Sequence, residues 1–427
     1  MTPSEPIVPP AARILAERAA ELVDPRHAAP RSSDPSRRHL TATDDAITAT
    51  TDARRTSGGP MTDPARPARP ARPAAARALA AALAILALAL APAWVAAQAI
   101  GDDVATFLDA AGAVPNGEGY LVGDLALSAE APGDVLAGVR LAGALDDGGL
   151  ADAAATLAIA TGYGAGIEQP LLAFLRERAP QFAGQGPVRI SVEAYTLELD
   201  VADAGLADVA LALSLPRVEG AAFGPAAAIL GDPDAPVTIR VFSDFQCPFC
   251  QRYALEVLPG IEGGLLEEGA ANFAFHHFPL TSIHANAVPA AEASQCVVER
   301  FGEEAFWPYH DVIFERLDAW KSLGDPAPYF ARLARDVAPL VDAVAEAEGL
   351  GADEAADAAV AQLTACLAEG GTRATVQAAL DVALGLGLGG TPTVFVGGYR
   401  LNDFGNPQAY ARLIRLAQAQ ASSSAGE

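Results

Sequence analysis

The stretch VRISVEAYTLELDV (188–201) alternates apolar and polar positions, Val188, Ile190 and Val192, then Tyr195, Leu197, Leu199 and Val201. That period of two predicts a half-buried strand. The parity changes near Ala194, which predicts a bulge or bend, because a one-residue slip sends the apolar set to the other face. DVALALSLP from Asp208 carries the same alternation and predicts a hairpin partner. Upstream, Val104, Phe107, Leu108 and Ala111 recur at helical spacing. Pro170 is read as opening a helix over LLAFLRERA, since a proline in the first turn lacks only an N–H that would be unpaired anyway. Residues 100–222 thus read as a small α+β domain. They contain neither cysteine nor histidine, and nothing in them points to chemistry.

The pattern changes beyond EGAAFGPAAAILGDPDAP (219–236), a Gly/Pro/Ala stretch within which residues 223–236 are read as a linker. VTIRVFSDF (237–245) is a continuous apolar run that predicts a buried strand, and Pro248 opens a helix reaching about Leu258. ANFAFHHF (271–278) predicts a second strand. Helical patterns run from about Asn286 to Leu384, broken at Gly302, Gly324–Pro328 and Gly370–Gly371. TPTVFVGGYRL (391–401) predicts a strand and hairpin, followed by a helix over about 406–420. Strand–helix–strand, a helical block, then strand–strand–helix is an α/β order with a helical insertion at about 280–385, within a domain spanning 237–421.

Composition changes this picture at the front of the chain. The 427 residues carry a formal charge of −25 with a single lysine, Lys321, which argues against a nucleic-acid surface. Residues 1–97 nevertheless hold 12 of the 28 Lys+Arg and only 9 of the 53 Asp+Glu. Arg66, Arg69, Arg72 and Arg77 form a basic run ahead of the wholly apolar ALAAALAILALALA (78–91). Small residues then stand at Val95, Ala97 and Ala99, suited to cleavage after Ala97 or Ala99. An apolar run of 14 residues is short for a membrane span, which needs about 20, and suits a secretory signal; the alternative is an uncleaved N-terminal anchor. Met61, one of only two methionines, stands just before the basic run. The expectation is a start at Met61, a signal or anchor over 61–99, and an upstream extension over 1–60 with the composition of a disordered segment.

Four cysteines remain to be explained, and two of them form Cys247-Pro248-Phe249-Cys250. A cysteine at a strand-to-helix turn meets free N–H groups and the positive end of the helix dipole, so a thiolate at Cys247 is stabilised. Cys250, three residues on, lies on the same helix face and suits the role of resolving thiol. The expectation is an exposed, acidic Cys247 and a shielded Cys250. A zinc clip would need two further ligands, and no closed four-ligand set is visible. A structural staple is the other alternative, but so short a loop removes little unfolded-state entropy.

GDPDAPVTIRVFSDFQCPFC, FHHFPL, IHANAVPAAEASQC, FWPYHDVIF and GGTPTVFVGG occur in that order. In these motifs residues 224–420 resemble the DsbA-like thiol:disulfide oxidoreductases of the thioredoxin superfamily. The resemblance implies a thioredoxin-like fold with a helical insertion and a cis peptide bond before Pro392, packed opposite the cysteines. It implies Cys247 and Cys250 as the redox pair with Thr391 and Pro392 beside them, and a substrate groove taking in Pro248, Phe249 and Thr391. Members of this branch often carry cysteines where Cys296 and Cys366 stand. In an exported protein these are expected to pair, the alternative being two buried, inert thiols. The family usually places a buried acid where this chain has Val241, with Arg240 next door and Asp244 three residues before Cys247. That role is therefore not carried over.

Other residues are read structurally. His276, His277, His284 and His310 are expected to be neutral, satisfied structural histidines, the last two in helix-start packing and capping contexts. Phe245, Phe278, Phe306 and Trp307 read as core and groove lining with Phe249. GLGLGG (385–390) precedes a Thr-Pro turn rather than following a strand, so no nucleotide loop, cofactor or metal is expected. Together these readings describe an exported, periplasmic or envelope protein that exchanges disulfides with thiol-containing substrate proteins, chiefly as an oxidase. A membrane or soluble redox partner would reset the pair. The alternatives are an isomerase or reductase dimerising through the first domain, and a chaperone-like binding module.

Overall fold

The computed structural model describes residues 100–117, 119–192 and 194–425; the readings for 1–60 and 61–99 lie outside them. Among the described residues no helix is long and apolar enough to cross a membrane.

The first domain begins with α1 (Val104–Ala110), capped where Asp103 accepts the Thr106 N–H at 2.9 Å. The strands β1 (Val114–Asn116), β2 (Gly119–Val122), β3 (Leu125–Glu130) and β4 (Gly138–Gly143) follow. Two helices, α2 (Asp147–Ala160) and α3 (Ala165–Arg178), separate them from β5 (Val188–Val192), β6 (Tyr195–Val201) and β7 (Val209–Ser214). The seven strands form one antiparallel sheet in the order β1-β2-β3-β4-β7-β6-β5. Alternation decides its faces: Leu127, Leu141, Leu199 and Leu211 are buried, while Ala126, Arg140 and Ala210 are exposed.

Two local readings of this domain need correction. Val192 pairs with Tyr195, so the change of parity near Ala194 marks a chain reversal between β5 and β6, not a bulge within one strand. Pro170 lies inside α3 rather than at its start, because the helix begins in AGIEQ, whose small and polar residues give no apolar period.

The second domain is built on a five-stranded sheet in the order β12-β11-β9-β10-β8. Its strands are β8 (Ala228–Leu230), β9 (Thr238–Ser243), β10 (Asn272–His277), β11 (Thr393–Val396) and β12 (Tyr399–Leu401). The central β9 runs parallel to β10 and antiparallel to β11. Both its faces are covered, which is why its sequence is a continuous apolar run rather than an alternation. The stretch read as a linker is part of this body: β8 pairs with β10, and Phe223 is buried against Phe242 and Phe395.

After Cys247 comes α4 (Pro248–Arg252), which continues through π-helical turns and α5 (Leu258–Ile261) to Leu266, beyond the expected end at Leu258. Pro259 has no N–H to give to the regular ladder, and the wider turns to either side absorb that defect. The insertion comprises α6 (Ala287–Phe301), α7 (Glu303–Glu315), α8 (Leu317–Trp320), α9 (Ala327–Leu333), α10 (Ala338–Glu348), α11 (Ala352–Glu369) and α12 (Arg373–Gly385). Cys296 of α6 and Cys366 of α11 are joined in a buried disulfide. The helix α13 (Pro407–Ala425) closes the chain.

The domains meet along residues 217–218. The Val218 N–H donates to the Gly398 carbonyl at 2.9 Å, and Arg217 Nε donates to the Gly397 carbonyl at 3.1 Å. Gly398 has φ 96°, and a Cβ there would fall 2.4 Å from the Val218 oxygen, so no side chain fits between the backbones. Arg415 of α13 pairs with Asp102 at 2.7 Å.

Two predictions follow from burial and connectivity. The disulfide closes a 70-residue separation, worth at most about 4 kcal/mol on the loop-entropy argument. Replacing both Cys296 and Cys366 with alanine should lower the denaturation midpoint accordingly. In the parent protein, mild reductant followed by alkylation should label Cys247 and Cys250 first and leave the other two unmodified. Secondly, burial lowers His276 to about 3 and His277 to about 4. A histidine held neutral in the fold stabilises it above the ordinary value of 6.5, and that stability is lost as pH falls towards the folded values. Stability measured from pH 7 down to 4 should therefore decline, and His277→Phe should flatten the decline.

Candidate active site

The strand β9 ends at Ser243, and the chain turns through Asp244-Phe245-Gln246 into Cys247. The Cys247 N–H donates to the Asp244 carbonyl at 3.0 Å, closing the turn. Cys247 is extended at φ −77°, ψ 123° and caps the helix; its carbonyl accepts the Gln251 N–H at 3.0 Å. Pro248 takes the first helical position, where its fixed φ suits the helix and its missing N–H costs nothing. Cys250 then lies one turn inside.

Both cysteines are free thiols, and both are buried, Cys247 at 4% exposure and Cys250 at 1%. The expectation of an exposed Cys247 is thus corrected. A second segment approaches it: the Thr391-Pro392 peptide bond is cis, and the Thr391 carbonyl lies 3.5 Å from Cys247 Sγ. Thr391 Oγ1 is buried with no hydrogen-bond partner among the described residues. It is a donor free to turn toward a thiolate. Pro392, without an N–H, leaves the carbonyl before it open to a bound peptide.

The environment drives the two thiols apart. Cys247 is lowered from an ordinary 9.0 to about 6, first by the hydrogen bond from the Cys250 thiol, with Thr391 and the N–H groups of Cys250 and Phe249 adding to it against the opposing effect of burial. Cys250 is raised well above the ordinary value, first by burial and then by the neighbouring Cys247. The Asp244 N–H, 3.5 Å from Cys250 Sγ, and the Ser243 side chain oppose that rise. One sulfur is therefore a nucleophile and good leaving group near neutral pH, and the other holds its proton.

The remaining candidates fall into three groups. Phe249 is 61% exposed beside Cys247, whereas Phe245, Phe278, Phe306 and Trp307 are core. His276 stacks on Phe242 at 4.8 Å and His277 lies among Phe245 and Phe275. Both are neutral as expected; the Pro225 backbone partners His276, whose Nε2 is left over, and the Gln295 side chain faces His277. His310 lies in the middle of α7, packed on Phe306 and Phe314 with Nδ1 2.8 Å from Asp311, and not at a helix start. Val241, at the position of the absent acid, is fully buried, and Arg240 sits over the Phe223 ring at 4.7 Å. No group of metal-ligating side chains occurs among the described residues.

Asp244 and His284 were not legible as a unit. The Asp244 side chain is wholly buried and its Oδ2 lies 2.7 Å from His284 Nδ1. The histidine stands 40 residues away in the turn before α6, where its backbone carbonyl does serve the helix start by accepting the Ala287 N–H. The only available signal was an acid within the cysteine turn itself.

A dithiol at a helix start, faced by a cis-proline turn from an adjoining strand of the same sheet, is the arrangement of a thioredoxin-type redox domain. Residues 225–415, a little under half of the chain, match the family model described as Thioredoxin, and in that span the chain resembles the DsbA-like thiol:disulfide oxidoreductases. Among curated proteins, the Na(+)/H(+) antiporter NhaA 3 of Salinispora tropica is 28% identical over 193 residues, covering 45% of this chain and 25% of the antiporter. Disulfide bond formation protein D of Bacillus subtilis is 28% identical over 88 residues, covering 21% of this chain and 38% of that protein. The chain spans a quarter to about two-fifths of the length of these relatives. Solved structures similar to it include oxidised BdbD of Bacillus subtilis, with 21% identity, TM-score 0.36, and coverage of 44% of this chain and 91% of that one. DsbA of Chlamydia trachomatis has 21% identity and TM-score 0.37, with coverage of 48% and 100%.

The split between the thiols has a pH consequence. A thiol whose folded value is depressed stabilises the reduced protein fully above its ordinary value, and the contribution is lost as pH falls through the folded one. Reduced protein should therefore gain stability over a Cys247→Ser variant between about pH 6 and pH 9, and the two should converge below that range. Thiolate absorbance in Cys250→Ala, which leaves no donor at that position, should titrate higher than in the parent, because the hydrogen bond it removes is the largest cause of the shift.

Proposed function

We propose that the protein is an exported thiol:disulfide oxidoreductase that oxidises thiol-containing substrate proteins through Cys247 and Cys250. The observation that carries this reading is the opposite displacement of the two thiols at one helix start.

In the oxidising direction a substrate thiolate attacks Cys247 Sγ of the Cys247–Cys250 disulfide. A mixed disulfide forms, the Cys247–Cys250 bond breaks, and Cys250 leaves and takes up a proton, as its raised value favours. A second substrate thiolate then attacks the substrate sulfur of the mixed disulfide and expels Cys247 as a thiolate. Two electrons have passed from substrate to protein, and a substrate disulfide has formed. The thiolate stabilised at Cys247 lowers the free energy of the dithiol form, so the disulfide form is the better oxidant. Phe249, Pro248 and the Thr391-Pro392 turn supply the apolar and backbone surface on which a substrate segment would lie. Reoxidation of the dithiol needs a membrane or soluble disulfide-bearing redox partner.

Expression of single variants tests the division of labour. Cys250→Ser should accumulate mixed disulfides with cellular proteins on non-reducing gels, and Cys247→Ser should form none. Trapping by Cys247→Ser instead would reverse the assignment. Stoichiometric oxidation of a reduced dithiol peptide by a monomer supports the oxidase. A dimer whose pair is kept reduced in cells would move the reading to an isomerase or reductase, and undiminished holdase activity without either cysteine would make it a binding module.

A further inference from the structure

Beneath the cysteine turn lies a buried polar assembly that the exchange chemistry above does not use. The Asp244 carboxylate, with no exposed side-chain surface, accepts three donors. Oδ1 takes the Gln246 N–H at 2.7 Å; Oδ2 takes the Leu280 N–H at 2.8 Å and faces His284 Nδ1 at 2.7 Å. The same residue's main chain holds both cysteines, its carbonyl on the Cys247 N–H at 3.0 Å and its N–H toward Cys250 Sγ at 3.5 Å. Asp244 is thus bound to the cysteine turn through its backbone and to the 280–284 loop through its side chain.

A parallel tie runs beside it. Gln246 Oε1 accepts the Asn286 N–H at 2.7 Å, and Gln246 Nε2 donates to the Lys321 carbonyl at 2.9 Å. Asn286 Nδ2 in turn donates to the Leu323 carbonyl at 2.9 Å. The turn that presents Cys247 is thereby clamped to the entrance of α6 and to the end of α8.

We infer that Asp244 and His284 form a positioning pair that holds the 244–247 turn in the conformation where Cys247, rather than Cys250, carries the negative charge. This rests on the oxidoreductase reading. The physical reason is geometric. A buried carboxylate facing three N–H donors is satisfied only in one orientation, and a charge-assisted contact such as that to His284 is among the stronger ones available. Removing the imidazole strips a buried oxygen of a donor, and the cost falls on the turn. Small changes there move the Phe249 and Cys250 N–H groups off the Cys247 sulfur, on which its acidity depends. Neither Asp244 nor His284 exchanges a bond in the reaction; both act through Cys247.

The test compares His284→Ala with His284→Asn in the whole protein. The Asn side-chain N–H can occupy roughly the place of Nδ1–H, whereas Ala offers no donor. His284→Ala should raise the Cys247 titration and shift the equilibrium with glutathione toward the disulfide form by at least about threefold, the equivalent of about half a pKa unit. His284→Asn should recover most of that shift. If His284→Ala does not fold, His284→Gln, whose amide lies one methylene farther out, provides the loss variant. Loss and rescue variants that both match the parent in titration and glutathione equilibrium, or a rescue as impaired as the loss, would overturn the pair's role while leaving the redox reading intact. A parent protein without an acidic Cys247 would instead remove the reading on which it rests.

Discussion

A negative charge on one of two adjacent sulfurs, in a place nearly closed to water, is the constraint on which the rest of this structure turns. Burial alone would push both thiols up and leave neither reactive. Only directed N–H and S–H groups can reverse that for one sulfur, and they must be aimed before the charge appears. The strand-to-helix turn supplies the first of these donors. The Thr391-Pro392 segment closes the site from above, and Thr391 adds its hydrogen bond to Cys247. Because Cys250 is both donor to Cys247 and the more deeply buried of the two, one arrangement makes its neighbour acidic and itself reluctant to ionise.

That division explains why the surrounding core contains so few charges despite the acidic chain. His276 and His277 are kept neutral by burial, and the aromatic rings of Phe245, Phe275 and Phe314 fill the space next to the cysteine turn. Arg240, the one cation in the central strand, is turned onto the Phe223 ring. Low polarity around the pair strengthens every dipole aimed at it.

Much of this was readable in the order of residues, and the failures have physical causes. Central strands betray themselves by continuous apolar runs, so β9 and β10 were plain; CPFC carried its own chemistry, and the cis bond before Pro392 came with the family resemblance. The strand β8 was hidden because three residues at a sheet edge, set among glycine, proline and alanine, have no period to detect. The helix opened by Pro248 outran its expected end at about Leu258, since π-helical turns let the chain continue through Pro259. The burial of Cys247 depends on a segment 144 residues away. The contact between Asp244 and His284 spans 40 residues with no periodicity linking them. Pairings of that kind are set by tertiary geometry, which local pattern does not encode.

The junction at residues 217–218 gives the first domain a definite relation to the second. The Arg217 side chain and the Val218 N–H donate to the β11–β12 turn at Gly397 and Gly398, and ten residues later the same segment enters the redox sheet as β8. A chain stitched to its neighbour at two successive points has little freedom to swing. Residues 100–222 and the redox sheet therefore belong to one compact body. Residues 100–222 thus keep one constant bearing on the cysteine turn.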